Sequence, residues 1–182
     1  MLSQIIKQEI MKSTVLKYGI ISGAIMLGVF TITMAATKMM TDPPDLTTQE
    51  VLGYASMIIA TSVAYFGIKH YRDNDNEGSL SFGQGLKIGL LIVLFPAVLI
   101  GVGDVVYITY IDPDWMDNYY AHYLANMKET LPAAEFETKA REMQAQKEMF
   151  ASPLFTFFIM FTTVFVIGLI VSIISSLVLK KG

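Results

Sequence analysis

Residues 153–179 read PLFTFFIMFTTVFVIGLIVSIISSLVL, a long apolar stretch without a charged residue. A helix of about 20 consecutive apolar residues is long enough to cross the hydrocarbon core of a membrane. The stretch therefore predicts a membrane-spanning helix. Three other stretches share its length and character, so the four predicted spans are 15–37, 51–69, 88–111 and 153–179.

The composition of the whole chain also indicates a membrane protein. Of its 182 residues, 53% are hydrophobic and 16% are charged, whereas soluble domains carry about 25% charged residues. The absence of cysteine excludes disulfides, thiolate metal sites and cysteine nucleophiles. The two histidines, His70 and His122, fall in different predicted loops and predict no shared metal site. We expect no cofactor and no nucleic-acid partner.

Helix-capping patterns mark the expected ends of the helices. The segments TTQE (47–50) and SFGQ (81–84) match the capping box and predict that helices start there. The segments DP (112–113) and SP (152–153) place an N-cap residue before a proline at the first helical position. The proline pair at 43–44 predicts that the first helix stops before the second begins.

The segment between the last two spans is polar but helix-prone. Apolar residues recur along 115–127 at steps of one, three and four, which predicts an amphipathic helix. Pro132 interrupts this pattern, and a weaker apolar stripe follows. The predicted fold is therefore all-α. It is a polytopic membrane protein in which 1–182 form a single membrane domain, with an extracytoplasmic helical hairpin at 113–150 between the third and fourth transmembrane helices.

The distribution of Lys and Arg predicts the orientation of the spans, because positive charges near span ends are enriched on the cytoplasmic side. One side carries most of these charges, namely Lys7, Lys12, Lys17, Lys69, Arg72, Lys87, Lys180 and Lys181. We therefore expect a multi-pass protein with both termini in the cytoplasm. The first apolar stretch is longer than the roughly 7–15 residues of a signal-peptide core. We expect a retained anchor, whether translation starts at Met1 or at Met11.

Asp104 is the ionisable residue placed most deeply within a predicted span. It lies about 10 Å from the end of its helix at Ile111, given a rise of 1.5 Å per residue. An acid at that depth is costly in lipid, so we expect it to face the helix bundle or water. One interpretation is a carboxylate that handles a proton or another cation. The other is a structural acid, paired with Lys38 or hydrogen-bonded to Tyr54 or to a threonine.

Small residues recur at four-residue spacing on several spans, and such ridges let helix backbones approach closely. The ridge positions include Gly19, Gly23, Gly85, Gly89, Gly168 and Ser172. We interpret them as packing positions within the protein, with dimerisation through one ridge as the alternative. Four basic residues are candidate contacts for lipid headgroups, or equally anchors that set the orientation. These are Lys17, Lys69, Arg72 and Lys87.

Five segments of the chain carry a resemblance to a known family. They are LKYGIISG (16–23), YFGIKHYRD (65–73), SFGQGLKIGLL (81–91), YIDPDWM (110–116) and SPLF…LIVSIISSLVLKK (152–181). On these residues the chain resembles the bacterial family called domain of unknown function 4199, whose members are small four-helix integral membrane proteins. The family has no assigned activity, so the resemblance implies a fold and a bacterial inner-membrane location but no catalytic residues. It also suggests a glycosyltransferase acting on lipid-linked sugars as a partner.

These observations lead to three hypotheses about function. We expect a non-enzymatic membrane protein, a structural or accessory subunit that acts through partner proteins or membrane lipids, as a homodimer or within a larger complex. The alternative is a small transporter or translocator that moves a lipid-linked substrate or an ion by means of Asp104. A membrane enzyme is the third hypothesis, but it requires convergent acid and base groups, and a single buried carboxylate does not provide them.

Overall fold

Seven α-helices make up most of the part of the chain that the structure, a computed structural model, describes: residues 2–40 and 45–181. The proline pair at 43–44 lies outside the described residues. The helices are α1 (Leu2–Met39), α2 (Leu46–Thr61), α3 (Val63–His70), α4 (Phe82–Val106), α5 (Trp115–Thr130), α6 (Ala133–Phe150) and α7 (Pro153–Leu179). Two π-helical turns, Tyr71–Asp75 and Tyr107–Ile111, extend α3 and α4. No β-strand occurs among the described residues, and the all-α prediction is confirmed.

Four helical stretches are long and apolar enough to cross a membrane. They are Gln8–Met39, Thr47–Asp75, Phe82–Ile111 and Pro153–Leu179. In each stretch, fewer than half of the residues in the most apolar window are buried within the protein. Exposed apolar faces of this length are what helices in contact with lipid require. The prediction of four helices capable of spanning a membrane is thus confirmed.

The chain divides into two compact units. The first comprises Met1–Ile100 and Phe161–Gly182, and the second comprises Gly101–Met160. Helix α4 therefore begins in the first unit and ends in the second, whereas α7 begins in the second unit and ends in the first.

The core of the first unit brings together residues of α1, α3, α4 and α7. Its buried members are Val15, Ala64, Ile68, Tyr71, Leu80, Ile88, Ile92, Val93 and Leu179. Because lipid tails are as apolar as these side chains, close van der Waals packing and hydrogen bonds hold such helices together, rather than removal from water.

The second span is interrupted near its middle, where α2 ends at Thr61 and α3 begins two residues later. The hydroxyl of Thr61 donates to the carbonyl of Met57 at 2.7 Å, and that of Ser62 donates to the carbonyl of Ile58 at 2.7 Å. Hydroxyls bonded to carbonyls one turn back bend or weaken a helix. The predicted span over 51–69 lies within one helical stretch, Thr47–Asp75, and the irregularity between α2 and α3 is confined to Ser62.

The start of α2 also differs from the predicted one at Thr47. Asp45 is the N-cap, and its carboxylate accepts from the backbone amide of Thr48 at 3.0 Å and from the Thr48 hydroxyl at 2.8 Å. A carboxylate is a stronger acceptor than a hydroxyl, so Asp45 takes the capping position. The hydrogen bonds from Thr48 hold the pKa of the Asp45 carboxyl below its usual range.

The starts of α4 and α7 agree with the sequence. The backbone amide of Ser81 donates to Oε1 of Gln84 at 3.0 Å, and the amide of Gln84 donates to Oγ of Ser81 at 3.3 Å. These two bonds are the reciprocal pair of a capping box. Helix α7 begins at Pro153, directly after Ser152, as predicted.

The start of α5 was predicted wrongly at 112–113. The helix begins at Trp115, because Asp112 is engaged elsewhere. Its carboxylate accepts a hydrogen bond from the hydroxyl of Tyr107 at 3.2 Å. Asp112 is therefore the C-cap of the π-helical turn that ends the third span, and its backbone amide donates to the carbonyl of Tyr107 at 2.8 Å.

In the second unit, α5 and α6 pack against each other and are separated at Pro132, as the sequence predicts. Nζ of Lys147 on α6 lies 2.6 Å from Oδ1 of Asp117 on α5. Tyr120 and Met143 are the buried side chains of the two helices. Burial raises the pKa of the Tyr120 hydroxyl, and the charge of Lys147 partly offsets that increase. We refer to these two helices as the α5–α6 pair.

Candidate functional site

Asp104 lies on the packed face of α4. Gly101, one turn before it, and Tyr107, one turn after it, are both buried. Val102 and Val106, on the adjacent face, are exposed. Residues three and four apart share a face of a helix, so Asp104 faces neighbouring helices with Gly101 and Tyr107, and its own side chain is half-buried.

Within the second unit, the helix face that carries Asp104 is close-packed, and the described residues there offer its carboxyl no hydrogen-bond partner. A Cβ on Gly101 would lie 2.8 Å from Cδ2 of Phe157 on α7, so the two helices approach closely one turn from Asp104. The hydroxyl of Tyr107 donates to Asp112. Within the described residues of the second unit, no hydrogen bond or ion pair reaches the Asp104 carboxyl.

The two residues that the sequence associates with Asp104 belong to the first unit. Lys38 lies in the last turn of α1 and is exposed. Tyr54 lies on α2 with 55% of its surface exposed. The pairing of either residue with Asp104 stays a prediction.

A second polar group is found where the second span ends in the π-helical turn. The hydroxyl of Thr14 on α1 donates to Oδ2 of Asp75 at 2.7 Å, and Nε2 of His70 lies 4.0 Å from the same oxygen. The rings of Tyr18 and His70 are in contact, with centroids 5.5 Å apart. Thr14 is buried at this point. The group therefore fixes α1 against the end of the second span.

The same part of the first unit binds the end of α7 to the loop before α4. Arg72 donates from a guanidinium nitrogen to the carbonyl of Leu179 at 3.3 Å. Leu80 and Lys181 exchange two backbone hydrogen bonds of 2.7 and 3.0 Å. Gly78 supplies the positive φ of 76° that the turn before Leu80 requires. We call this set of residues the polar cap: Thr14, His70, Arg72, Asp75, Leu80 and Lys181.

The candidate headgroup residues differ in accessibility. Lys17, Lys69 and Lys87 are exposed, and Nζ of Lys17 lies 5.6 Å from the ring centroid of Tyr18. Arg72 is less accessible, because its Nε donates to Asp73 at 2.6 Å while a second nitrogen bonds α7. Three of the four residues are thus open to an anionic headgroup, and Arg72 has a structural role.

The small residues selected from the sequence lie at close contacts between helices of the first unit. A Cβ added to any of these glycines would come within 3 Å of a side chain on another helix. The pairs are Gly19 with Phe95, Gly23 with Leu99, Gly85 with Ser176, Gly89 with Ser172, and Gly168 with Val93. The hydroxyl of Ser172 is buried and has no hydrogen-bond partner among the described residues. Ser172 therefore contributes its small size rather than a hydrogen bond.

A family model described as "Protein of unknown function (DUF4199)" matches residues 17–181, which is nearly the whole chain. The chain belongs to the DUF4199 family. The resemblance inferred from its sequence segments is therefore confirmed. Comparisons with curated proteins and with solved structures find no match.

The polar cap of this DUF4199 protein is the feature that sequence reasoning missed. Thr14 and Asp75 are 61 residues apart, and no local spacing connects them. The irregularity between α2 and α3, in contrast, has a signal in the sequence. Thr61 and Ser62 are adjacent in an apolar helix, and both hydroxyls can donate to backbone carbonyls one turn earlier.

Proposed function

We propose that this DUF4199 protein is a non-enzymatic accessory subunit of the bacterial inner membrane, acting through a partner protein. One observation carries the proposal: polar side chains in and near the spans bind the protein's own helices together. Thr14 bonds Asp75, Arg72 bonds the carbonyl of Leu179, and Ser22 on α1 donates to the carbonyl of Ala60 at 2.7 Å. Side chains used in this way stabilise a scaffold and are not free to act on a substrate.

The α5–α6 pair is the part of the protein best suited to contact that partner. Its helices fix each other through the ion pair of Asp117 and Lys147 and through buried Tyr120 and Met143. The outer residues of α6, such as Glu137, are polar and exposed. A surface held rigid before binding loses less conformational freedom in the complex.

The proposed orientation places both termini in the cytoplasm and the α5–α6 pair outside, as the Lys and Arg bias favours. A reporter that is active only in the cytoplasm, fused after Lys181, should be active. The same reporter inserted within 125–145 should be inactive. The reverse pattern would show that the orientation is wrong.

The partner is tested by purification in a mild detergent, combined with site-specific photo-crosslinking in intact cells. One photoreactive residue replaces Glu137 on α6. The matched control replaces Ile174 on α7, which is 56% exposed on an apolar helix and should face lipid. We expect one protein adduct at 137, none at 174, and a stoichiometric partner in the purified sample.

The identity of the co-purified protein then refines the proposal. The family resemblance suggests a glycosyltransferase that acts on lipid-linked sugars. Purification without any partner, and no adduct at Glu137, would contradict the accessory role. If the purified protein is instead a homodimer carrying bound lipid, the transporter hypothesis is favoured.

A further inference from the structure

Asp104 is an acid inside a membrane-spanning stretch, on the face of α4 that packs against protein. The stretch Phe82–Ile111 continues past Asp104 toward Ile111 for about 10 Å. Gly101, on the same face, lies against Phe157 of α7. The carboxyl is thus placed beside a tight crossing of two apolar helices, away from the exposed face that carries Val102 and Val106.

The second unit supplies no charge that would balance an ionised Asp104. Tyr107 is the next titratable residue along the helix, and its hydroxyl donates to Asp112. The segment 153–160 of α7 carries no titratable residue. On the α5–α6 pair, Lys147 is engaged with Asp117 and Lys139 with Glu142, while Lys128 and Arg141 are exposed and neither pairs with Asp104.

Three titratable residues of the first unit lie on the last turn of α1 and the first half of α2. These are Lys38 at the end of α1, and Glu50 and Tyr54 on α2. Lys38 is the basic residue among them, and its pairing with Asp104 is the alternative that the sequence predicts. A variant of Lys38 therefore belongs in any test of this acid.

A carboxylate without a counter-charge is strongly disfavoured in apolar surroundings, whereas the neutral acid is tolerated because it keeps one donor and one acceptor. We propose that Asp104 is a reversible proton-binding site within the membrane. The carboxyl holds a proton while it packs beside α7 and releases it when water reaches it.

The proposed site couples protonation to helix packing. Loss of the proton places a negative charge on the face of α4 that meets Phe157, and the contact at Gly101 must then loosen to admit water or a cation. The ligand is the proton itself, so no other substrate is required. This inference is independent of the accessory role, because a subunit that acts through a partner works with or without an acid that titrates.

The test uses dicyclohexylcarbodiimide, an apolar reagent that modifies protonated carboxyl groups in membranes. The full-length protein in lipid vesicles is treated across a pH series, and modified peptides are identified by mass spectrometry. We expect modification at Asp104 that falls about tenfold per pH unit above its midpoint, as titration of one group requires. Asp104→Asn should abolish it, and Asp114→Asn, which alters an exposed acid outside the span, should not.

Infrared spectroscopy provides a second measurement that does not depend on access by the reagent. The other carboxyl groups of the protein also protonate at low pH, so the measurement is the difference between the wild-type spectrum and that of Asp104→Asn at the same pH. This difference should contain the carbonyl stretching band of one protonated carboxyl at low pH and lose it as the pH rises. Absence of that difference band at every pH would overturn the proposal. So would modification that appears only in Lys38→Ala, since Asp104 is then an ionised partner of Lys38. Modification that is suppressed by sodium but insensitive to pH would also overturn it and assign the site to a metal cation.

Discussion

Replacing Gly168 with alanine tests the closest crossing between α4 and α7 in the first unit. The new Cβ would lie 2.7 Å from Cγ2 and 2.9 Å from Cβ of Val93, which is fully buried. Carbon atoms in contact prefer a separation of about 3.5–4.0 Å, so the groups must move apart by about 1 Å. Val93 is branched at Cβ and cannot rotate away from the contact, because its Cβ itself is too close. Overpacking of this kind costs about 1–3 kcal/mol.

The matched control is Gly53→Ala on α2, where a Cβ would meet nothing within 4 Å. Both substitutions gain the same intrinsic helix preference of alanine over glycine, about 1 kcal/mol. Their difference in free energy of unfolding therefore isolates the overpacking, and we expect Gly168→Ala to be less stable than Gly53→Ala by about 1–3 kcal/mol. The assay is unfolding by a denaturing detergent from mild-detergent micelles, followed by circular dichroism.

A double variant decides whether Val93 is the cause. Val93→Ala removes both methyl groups that meet the new Cβ but keeps the Cβ of residue 93, so it should recover part of the stability lost in Gly168→Ala. The coupling between the two changes should fall in the range of about 0.5–3 kcal/mol seen for residues in contact. Equal stability of Gly168→Ala and Gly53→Ala, or no coupling to Val93→Ala, would refute the tight crossing.

Three further predictions follow from the polar contacts. Thr14→Val should destabilise the protein, because the carboxylate of Asp75 loses the hydrogen bond that the Thr14 hydroxyl donates. The expected loss is about 1.5–3 kcal/mol, the range for hydrogen bonds to charged groups. Thr14→Ser keeps the hydroxyl and should retain most of the stability in the same unfolding assay. Ser22→Ala should cost about 0.5–1.5 kcal/mol, since it removes one buried neutral hydrogen bond to a carbonyl of α2, and no change would show that the bond contributes nothing. The pKa of the Asp45 carboxyl in the folded protein lies below its usual value because the carboxylate accepts hydrogen bonds from Thr48. The stability that this cap adds is therefore fully present when the pH is above the usual pKa of the carboxyl. It is lost as the pH falls through the folded pKa. Asp45→Asn should keep the cap and remove this acid sensitivity in a pH series of melting curves, and an unchanged acid response would contradict the assignment.

The spans were predictable because their information is local. A charge-free stretch such as 153–179 identifies a membrane helix by length and composition alone. The capping box at Ser81 is equally local, because its two hydrogen bonds join residues three positions apart. Asp45 and Thr47 are both residue types that cap helix N-termini, and sequence spacing alone favoured Thr47. The N-cap of α2 is Asp45, whose carboxylate is the stronger hydrogen-bond acceptor.

The contacts between helices were not predictable in the same way. Four-residue spacing marks Gly89 and Gly168 as close-packing positions, but it contains no information on which side chain meets them. That Gly89 meets Ser172 while Gly168 meets Val93 depends on how the helices cross. The face of α4 that carries Asp104 was predictable from periodicity, whereas its lack of a partner in the second unit emerges only from the folded arrangement.

The polar cap also determines the order in which the protein can be completed during synthesis. Arg72 bonds Leu179, which lies 107 residues later in the chain. At the usual 5–20 residues per second of translation, that interval lasts about 5–20 s. Throughout this time α1, α2 and α3 are already made, while the carbonyl of Leu179 and the backbone of Lys181 do not yet exist. Until then, the guanidinium of Arg72 and the backbone of Leu80 must bind water, lipid headgroups or an insertion factor instead. The first three spans can form only a partial bundle, and the polar cap is completed when the fourth span is made.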